Sequence, residues 1–285
     1  MLASFAALAW ADALGIAGAP PIAWLLPVVL VVAVGGGREA VRLAAAAGIE
    51  LAPVIVPVGA AVIAAAPASC GLLPEDAADR IGTLGAAAVA CMAVLATAFT
   101  AAIARYAGGG RDVVRAAGSV TAAVAIGLPL AFIVSLRLMP VASVAAWPFA
   151  CLVPVVSLIA VVKAGDIAAY AVGSTLGRHR MAPRLSPGKT WEGCAASLVG
   201  SLLAAWAVLE GWPREPGPSP LGGWVVFGAV VGGAGIVGDL AESLVKRELS
   251  AKDSGRLLGA MGGCLDLVDS LLLAAPAAWL LWAAG

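Results

Sequence analysis

Charge is scarce in this chain. Asp, Glu, Lys and Arg make up 12% of its 285 residues against 62% hydrophobic residues, too little polar surface to coat a globule in water. A soluble domain is thereby excluded. Basic and acidic residues cancel to a formal net charge of zero, so the basic stripe that a nucleic-acid partner requires is missing. The five cysteines (Cys70, Cys91, Cys151, Cys194 and Cys264) show neither CxxC nor Cys/His spacing and mostly fall in apolar runs, so neither a zinc site nor a disulfide framework is suggested. The single histidine, His179, stands among arginines and reads as a surface residue rather than a base. No positive residue precedes the apolar run at the amino terminus. Residues 2–17 are therefore expected to be a retained first helix rather than a cleaved signal peptide.

What fills the chain is a series of apolar runs of membrane length. They predict an all-α, polytopic integral membrane protein with about nine transmembrane helices, at 2–17, 20–36, 52–69, 84–104, 117–135, 144–162, 192–210, 221–238 and 265–284. Lys and Arg set the orientation. Arg38 and Arg42 are placed in one loop, Arg105, Arg111 and Arg115 in a second, Lys163, Arg178, Arg180, Arg184 and Lys189 in a third, and Lys246, Arg247, Lys252 and Arg256 in a fourth. Only Arg80, Arg137 and Arg214 fall in the intervening loops. This alternation puts the amino terminus in the cytoplasm. Small residues crowd the spans, which permits close helix packing and a homodimer without requiring one. The organisation expected is a scaffold of helices over 1–162 and a catalytic half over 163–285 with two cytoplasmic loops and three transmembrane helices.

Ionised groups at the edge of hydrocarbon mark a candidate site, and two stretches carry them. In the first, Asp166 and Tyr170 stand at i and i+4 and share a helix face. A glycine-spaced segment with basic residues then leads to SPGKTWEG at 186–193. Ser186 followed by Pro187 predicts a helix start, with Ser186 as N-cap. Beside Lys189 and Thr190, such a start would seat a phosphate. A basic loop facing anionic lipid headgroups is the plainer reading of the same residues. In the second stretch, Asp239, Glu242, Ser243 and Lys246 fall at i, i+3, i+4 and i+7, one stripe of a helix leaving the membrane. Asp266, Asp269 and Ser270 form another stripe at the start of the last helix, and a Gly262–Gly263 turn can bring the two together. Converging carboxylates repel unless a hard divalent cation joins them, and oxygen ligands completed by substrate phosphates suit magnesium. Lys246, Arg247 and Lys252 would then neutralise phosphate charge. Salt bridges capping the helix ends are the alternative.

At these residues the chain resembles the phosphatidate cytidylyltransferase family, whose signature runs S-x-x-K-R-x4-K-D-x-G, then P-G-H-G-G, then x-L-D-R-x-D. It stands here as Ser243, Lys246, Arg247, Lys252, Asp253, Gly255, Gly262, Gly263, Asp266 and Asp269. GDLxES at 238–243, DxxAYxxGxxxG at 166–177 and SPxKTxEG at 186–193 match as well. The family histidine is Met261 here, its preceding Pro-Gly is Gly259–Ala260, the arginine after the first aspartate is Leu267, and a second lysine of SPKKT is Gly188. The resemblance implies transfer of CMP from CTP to phosphatidate, giving CDP-diacylglycerol and pyrophosphate, at a cytoplasm-facing site in the inner membrane of a bacterium. It implies Asp239, Asp266 and Asp269 as magnesium ligands, with room for a second cation. Lys246 and Lys252 would be catalytic, and Asp166, Tyr170, Ser186, Lys189, Thr190, Glu242, Ser243, Arg247, Asp253, Gly262 and Gly263 would bind substrate. A CTP-dependent enzyme acting on another membrane lipid and a weakened, non-enzymatic paralogue are the readings left beside it.

Overall fold

In the computed structural model, residues 2–15, 20–106, 108–140, 150–211, 219–249 and 263–285 are described. Helices predominate among them, as expected, and each of the nine expected stretches overlaps one. Two compact units emerge.

One unit takes in Ala17–Leu138 and Glu248–Val268. Its helices are α2 (Leu26–Ala46), α3 (Ile55–Ala65), α4 (Glu75–Ala104) and α5 (Arg111–Arg137), with a 3-10 segment, Ala66–Leu72, prolonging α3. Local signals set the starts. Pro74 precedes α4, whose first turn carries Glu75 and Asp76 where the helix dipole favours acids. Gly110 enters α5 with φ 72°, a left-handed conformation that glycine adopts without steric cost. Ile63, Ala87, Ala90, Val94, Ala123 and Ala131 pack into one buried cluster. Ala33, Ala60, Ala64, Ile126 and Leu130 form another. Small side chains at these contacts let backbones approach, which is how apolar helices associate where no water drives them together.

The other unit takes in Met1–Ile16, Met139–Arg247 and Asp269–Gly285. It holds α1 (Leu2–Ala13), α6 (Val153–Leu176), a hairpin of β1 (Arg180–Ala182) and β2 (Ser186–Thr190), α7 (Trp191–Leu209), α8 (Gly223–Glu248) and most of α9 (Cys264–Ala283). Helices α6 and α7 meet through small residues. A Cβ on Gly165 would come within 2.6 Å of Ser201 Oγ, and that hydroxyl donates to the carbonyl of Val161 at 3.1 Å. The far end of α9 is anchored by Trp282, whose Nε1 donates to Ser157 Oγ at 3.2 Å while its ring meets Phe227 edge-on, centroids 6.4 Å apart.

Among the described residues, six helices are long and apolar enough to cross a membrane: α3 with its 3-10 extension, α4, α5, α6 with the turn before it, α7 and α8. The twelve described residues of α1 rise only ~18 Å, short of a hydrocarbon core of about 30 Å. Helix α2 departs from expectation in another way. It runs on to Ala46, so Arg38 and Arg42 lie within the helix and not in a loop. Glycines 35–37 do not end it, because a helix flanked by packed neighbours tolerates glycine's modest propensity cost.

That extension carries Glu39, which is fully buried. Its Oε1 accepts the N–H of Cys264 at 2.9 Å and its Oε2 that of Leu265 at 3.0 Å. Two donors left without helical partners at the start of α9 are thereby satisfied. Replacing Glu39 by Ala should cost about 2–3 kcal/mol, since buried N–H groups bonded to a charged acceptor become orphans. Thermal unfolding in detergent should show a lowered midpoint for Glu39→Ala and a smaller fall for Glu39→Gln.

Candidate functional site

The polar residues of the second unit gather where α6, the hairpin, α7, α8 and the turn of α9 that carries Asp269 come together. Helix α6 carries Asp166 and Tyr170 one turn apart, and the Tyr170 side chain is exposed. Beyond α6 the expected helix start at Ser186 does not form. Ser186–Thr190 is strand β2, paired antiparallel with β1 so that Arg180 faces Thr190 and Ala182 faces Ser186. Pro187 biases the residue before it toward extended backbone, and the Arg180 guanidinium donates to the Pro187 carbonyl. The N-cap is Thr190, with φ −125° and ψ 155°, whose Oγ1 accepts the N–H of Gly193 at 3.1 Å. The helix therefore begins four residues later than the Ser-Pro pair suggests.

Glu192 locks the hairpin onto this helix start. Its carboxylate accepts the N–H groups of Arg178 and His179, each at 3.2 Å, and stands 2.7 Å from His179 Nδ1. His179 is otherwise exposed, in keeping with a surface role. At the other end of the site, Arg247 Nε donates to the Leu185 carbonyl at 3.2 Å, so the base of the expected phosphate arm reaches the hairpin turn.

Among the described residues, three carboxylates converge. One oxygen from each of Asp239, Glu242 and Asp269 lies within 4.8 Å of the others, and all three residues are half-buried. With all three ionised at about 5 Å and an effective dielectric near 20, each pair would repel by roughly 3 kcal/mol. Cations answer this repulsion. Lys189 Nζ lies 2.8 Å from Asp239 Oδ2 and Lys246 Nζ 3.0 Å from Glu242 Oε1. Lys189 Nζ is buried and forms no directed hydrogen bond, so its contact is an ion pair. Nearby on α6, Lys163 Nζ lies 3.2 Å from Asp166 Oδ2. The donor set fits a hard divalent cation, being all carboxylate oxygen with lysines able to turn toward phosphate.

Expected residues divide accordingly. Asp239, Glu242, Asp269, Lys189 and Lys246 come together. Asp266 is engaged at the start of its own helix, where Oδ2 accepts the N–H of Gly263 at 2.7 Å. Ser186 and Thr190 shape the hairpin and the cap, and Ser243 is half-buried on α8. Lys252, Asp253, Arg256, Met261, Gly262 and the Gly262–Gly263 turn lie outside the described residues, as does the Leu267 side chain. Lys163 and Ser270 border the site without having been singled out as site residues. Lys163 sits one helical turn before Asp166, a spacing that could have flagged it.

Helix α8 reaches α9 here because residue 238 is glycine: a Cβ would lie 2.8 Å from the Asp269 carbonyl oxygen. Gly233, on the same helix, has nothing within 4 Å of the place a Cβ would take. Gly238→Ala should therefore lower the unfolding midpoint in detergent, while Gly233→Ala should leave it level or raise it through better helix propensity.

Over residues 1–284 the sequence matches the cytidylyltransferase family. A phosphatidate cytidylyltransferase of Brucella suis is 46% identical over 132 residues, 44% of this chain and 45% of the relative. The enzyme of that name from Mycobacterium tuberculosis is 39% identical over 138 residues, 47% of this chain and 38% of its own. One from Haemophilus influenzae is 36% identical over 116 residues, 40% of each chain. The chain thus spans less than half the length of the curated relatives it matches.

Proposed function

Since the chain belongs to the cytidylyltransferase family, we propose that it transfers CMP from CTP to phosphatidate, giving CDP-diacylglycerol and pyrophosphate. A phosphate oxygen of phosphatidate attacks the α-phosphorus of CTP, a new P–O–P bond forms, and pyrophosphate leaves with the electron pair of the broken bond. A phosphate monoester is already a competent oxygen nucleophile at neutral pH, so no protein base is needed. The difficulty is electrostatic, because two anions must meet.

The observation that carries this reading is the convergence of Asp239, Glu242 and Asp269 with Lys189 and Lys246, residues that stand in the matching motifs. Magnesium held by Asp239, Glu242 and Asp269 would screen the triphosphate charge. Lys189 and Lys246 would exchange their carboxylate partners for phosphate oxygens, Arg247 would extend the cationic wall, and Lys252, outside the described residues, would neutralise further phosphate charge by its motif role. Asp166 and Tyr170 would line the acceptor side, and Asp266, the further magnesium ligand that its motif position implies, accepts the Gly263 N–H at the start of α9. The catalytic half, 163–285, would face the cytoplasm where CTP is available. The basic residues around the hairpin and the end of α8 support this side, and with it we propose about nine spans, a cytoplasmic amino terminus and residence in a bacterial inner membrane. A homodimer is compatible with the small-residue helix faces.

One observation favours another reading. Lys189 and Lys246 already neutralise two of the three carboxylates, as salt bridges in a purely structural membrane protein would. Purified protein in detergent decides between them when given phosphatidate, CTP and magnesium. The proposed activity predicts pyrophosphate release, with a loss of at least ~100-fold in Asp239→Asn and in Asp269→Asn, the scale of removing a preorganised electrostatic group. Full magnesium-dependent activity in either variant overturns the metal assignment. Absence of both liponucleotide and any CTP- or magnesium-dependent shift in unfolding supports the structural protein, and release with a different lipid acceptor redirects the substrate. Met261→His should keep or raise activity.

A further inference from the structure

Ser270 is 1% exposed and sits between two acidic groups from different helices. Its Oγ lies 3.0 Å from Asp166 Oδ2 on α6 and 3.0 Å from Asp269 Oδ1 on α9, and its backbone N–H also donates to Asp269 Oδ1. A serine hydroxyl carries one proton, so it can donate to only one of these carboxylates. Lys163 resolves the conflict. Its Nζ is 3.2 Å from Asp166 Oδ2 and 3.4 Å from Ser270 Oγ. With the ammonium donating to Asp166 and to the serine oxygen, the hydroxyl proton is directed to Asp269, and the chain of donors closes.

We propose that Ser270 is a positioning residue for Asp269 and that Lys163 sets the direction in which the Ser270 hydroxyl donates. Asp269 is the carboxylate that α9 contributes to the cluster with Asp239 and Glu242, and Ser270 holds it through two donors, Oγ–H and N–H. Removing the hydroxyl leaves Asp269 with one of its two Ser270 donors, the backbone N–H, and so holds it less firmly. Removing the ammonium lets the hydroxyl turn to Asp166 and releases Asp269 in a different way. Both changes weaken the hold on a divalent cation without deleting any carboxylate. Groups that orient metal ligands from behind have this signature, and losing one commonly costs 10- to 100-fold in metal affinity.

This inference rests on the proposed metal-assisted transfer, and its test separates the two. Unfolding of the detergent-solubilised full chain is followed against magnesium concentration without substrates, beside pyrophosphate release at varied magnesium. Ser270→Ala and Lys163→Met should each raise the magnesium concentration for half-maximal effect about tenfold in both measurements. At saturating magnesium, turnover by Ser270→Ala should stay within about threefold of the wild type, a split between affinity and rate that general destabilisation does not produce. The Ser270→Ala/Lys163→Met double variant should be little worse than either single one, because both act on one donor chain. Should Ser270→Ala fail to fold, Lys163→Met carries the same readout at a half-exposed position. A wild type that responds to magnesium alongside a Ser270→Ala or Lys163→Met variant with an unchanged midpoint overturns the positioning role alone. A wild type with no magnesium response overturns the transfer reading and the inference with it.

Discussion

Like charges crowded at the end of apolar helices are the constraint on which the candidate site depends. Asp239, Glu242 and Asp269 crowd together partly withdrawn from water, and the cations beside them come from three different elements. Lys189 arrives on a strand, Lys246 from the last turn of α8, and Lys163 backs the group from α6. Each lies against an acid. The resting site is thus a partly neutralised network in which Lys189 and Lys246 have carboxylate partners that phosphate oxygens could replace. An anionic substrate would meet cations already aimed inward, and carboxylates that are freed as the lysines move away.

The packing around that network follows from the same economy of polar groups. Where a helix end is buried, something must accept its N–H groups. Thr190 does this for α7, Glu39 and Asp266 do it for α9, and Glu192 serves the backbone leading into the hairpin. These acids are few, in a chain with little charge to spare. Glycine and serine at the helix contacts supply the remaining cohesion: the approach at Gly165 and Ser201 is close enough for a hydroxyl to reach a neighbouring backbone carbonyl.

How much of this the sequence discloses depends on the range of each interaction. The stripe Asp239–Glu242–Ser243–Lys246 is legible because helical periodicity alone puts those residues on one face, and the pairing of Lys246 with Glu242 follows from their i, i+4 spacing. The helix class and the apolar runs are legible for the same reason. The Ser186–Pro187 pair misleads because it is a local signal for a helix start and equally compatible with extended backbone. The choice is made by pairing with β1 and by the stronger cap at Thr190. Glu39 is invisible in the sequence, since its partners are backbone donors more than two hundred residues away and no side-chain pattern announces them. Arg38 and Arg42 look like loop residues beside three glycines, yet helical packing carries the chain through them. Ser270 falls within a recognised stripe, but its three-way contact depends on how α6 lies against α9.

Strand β2 imposes a rule of length on this part of the chain. Side chains on a strand alternate between its two faces, so Lys189 reaches Asp239 only in the present register. One residue gained or lost between β1 and Thr190 would send the ammonium to the opposite face while leaving the composition of the loop almost unchanged. Surface connections generally drift in length over evolutionary time. This one should instead vary in residue type at its exposed tip and hold its count, so that deletions and insertions there act like point mutations of the lysine.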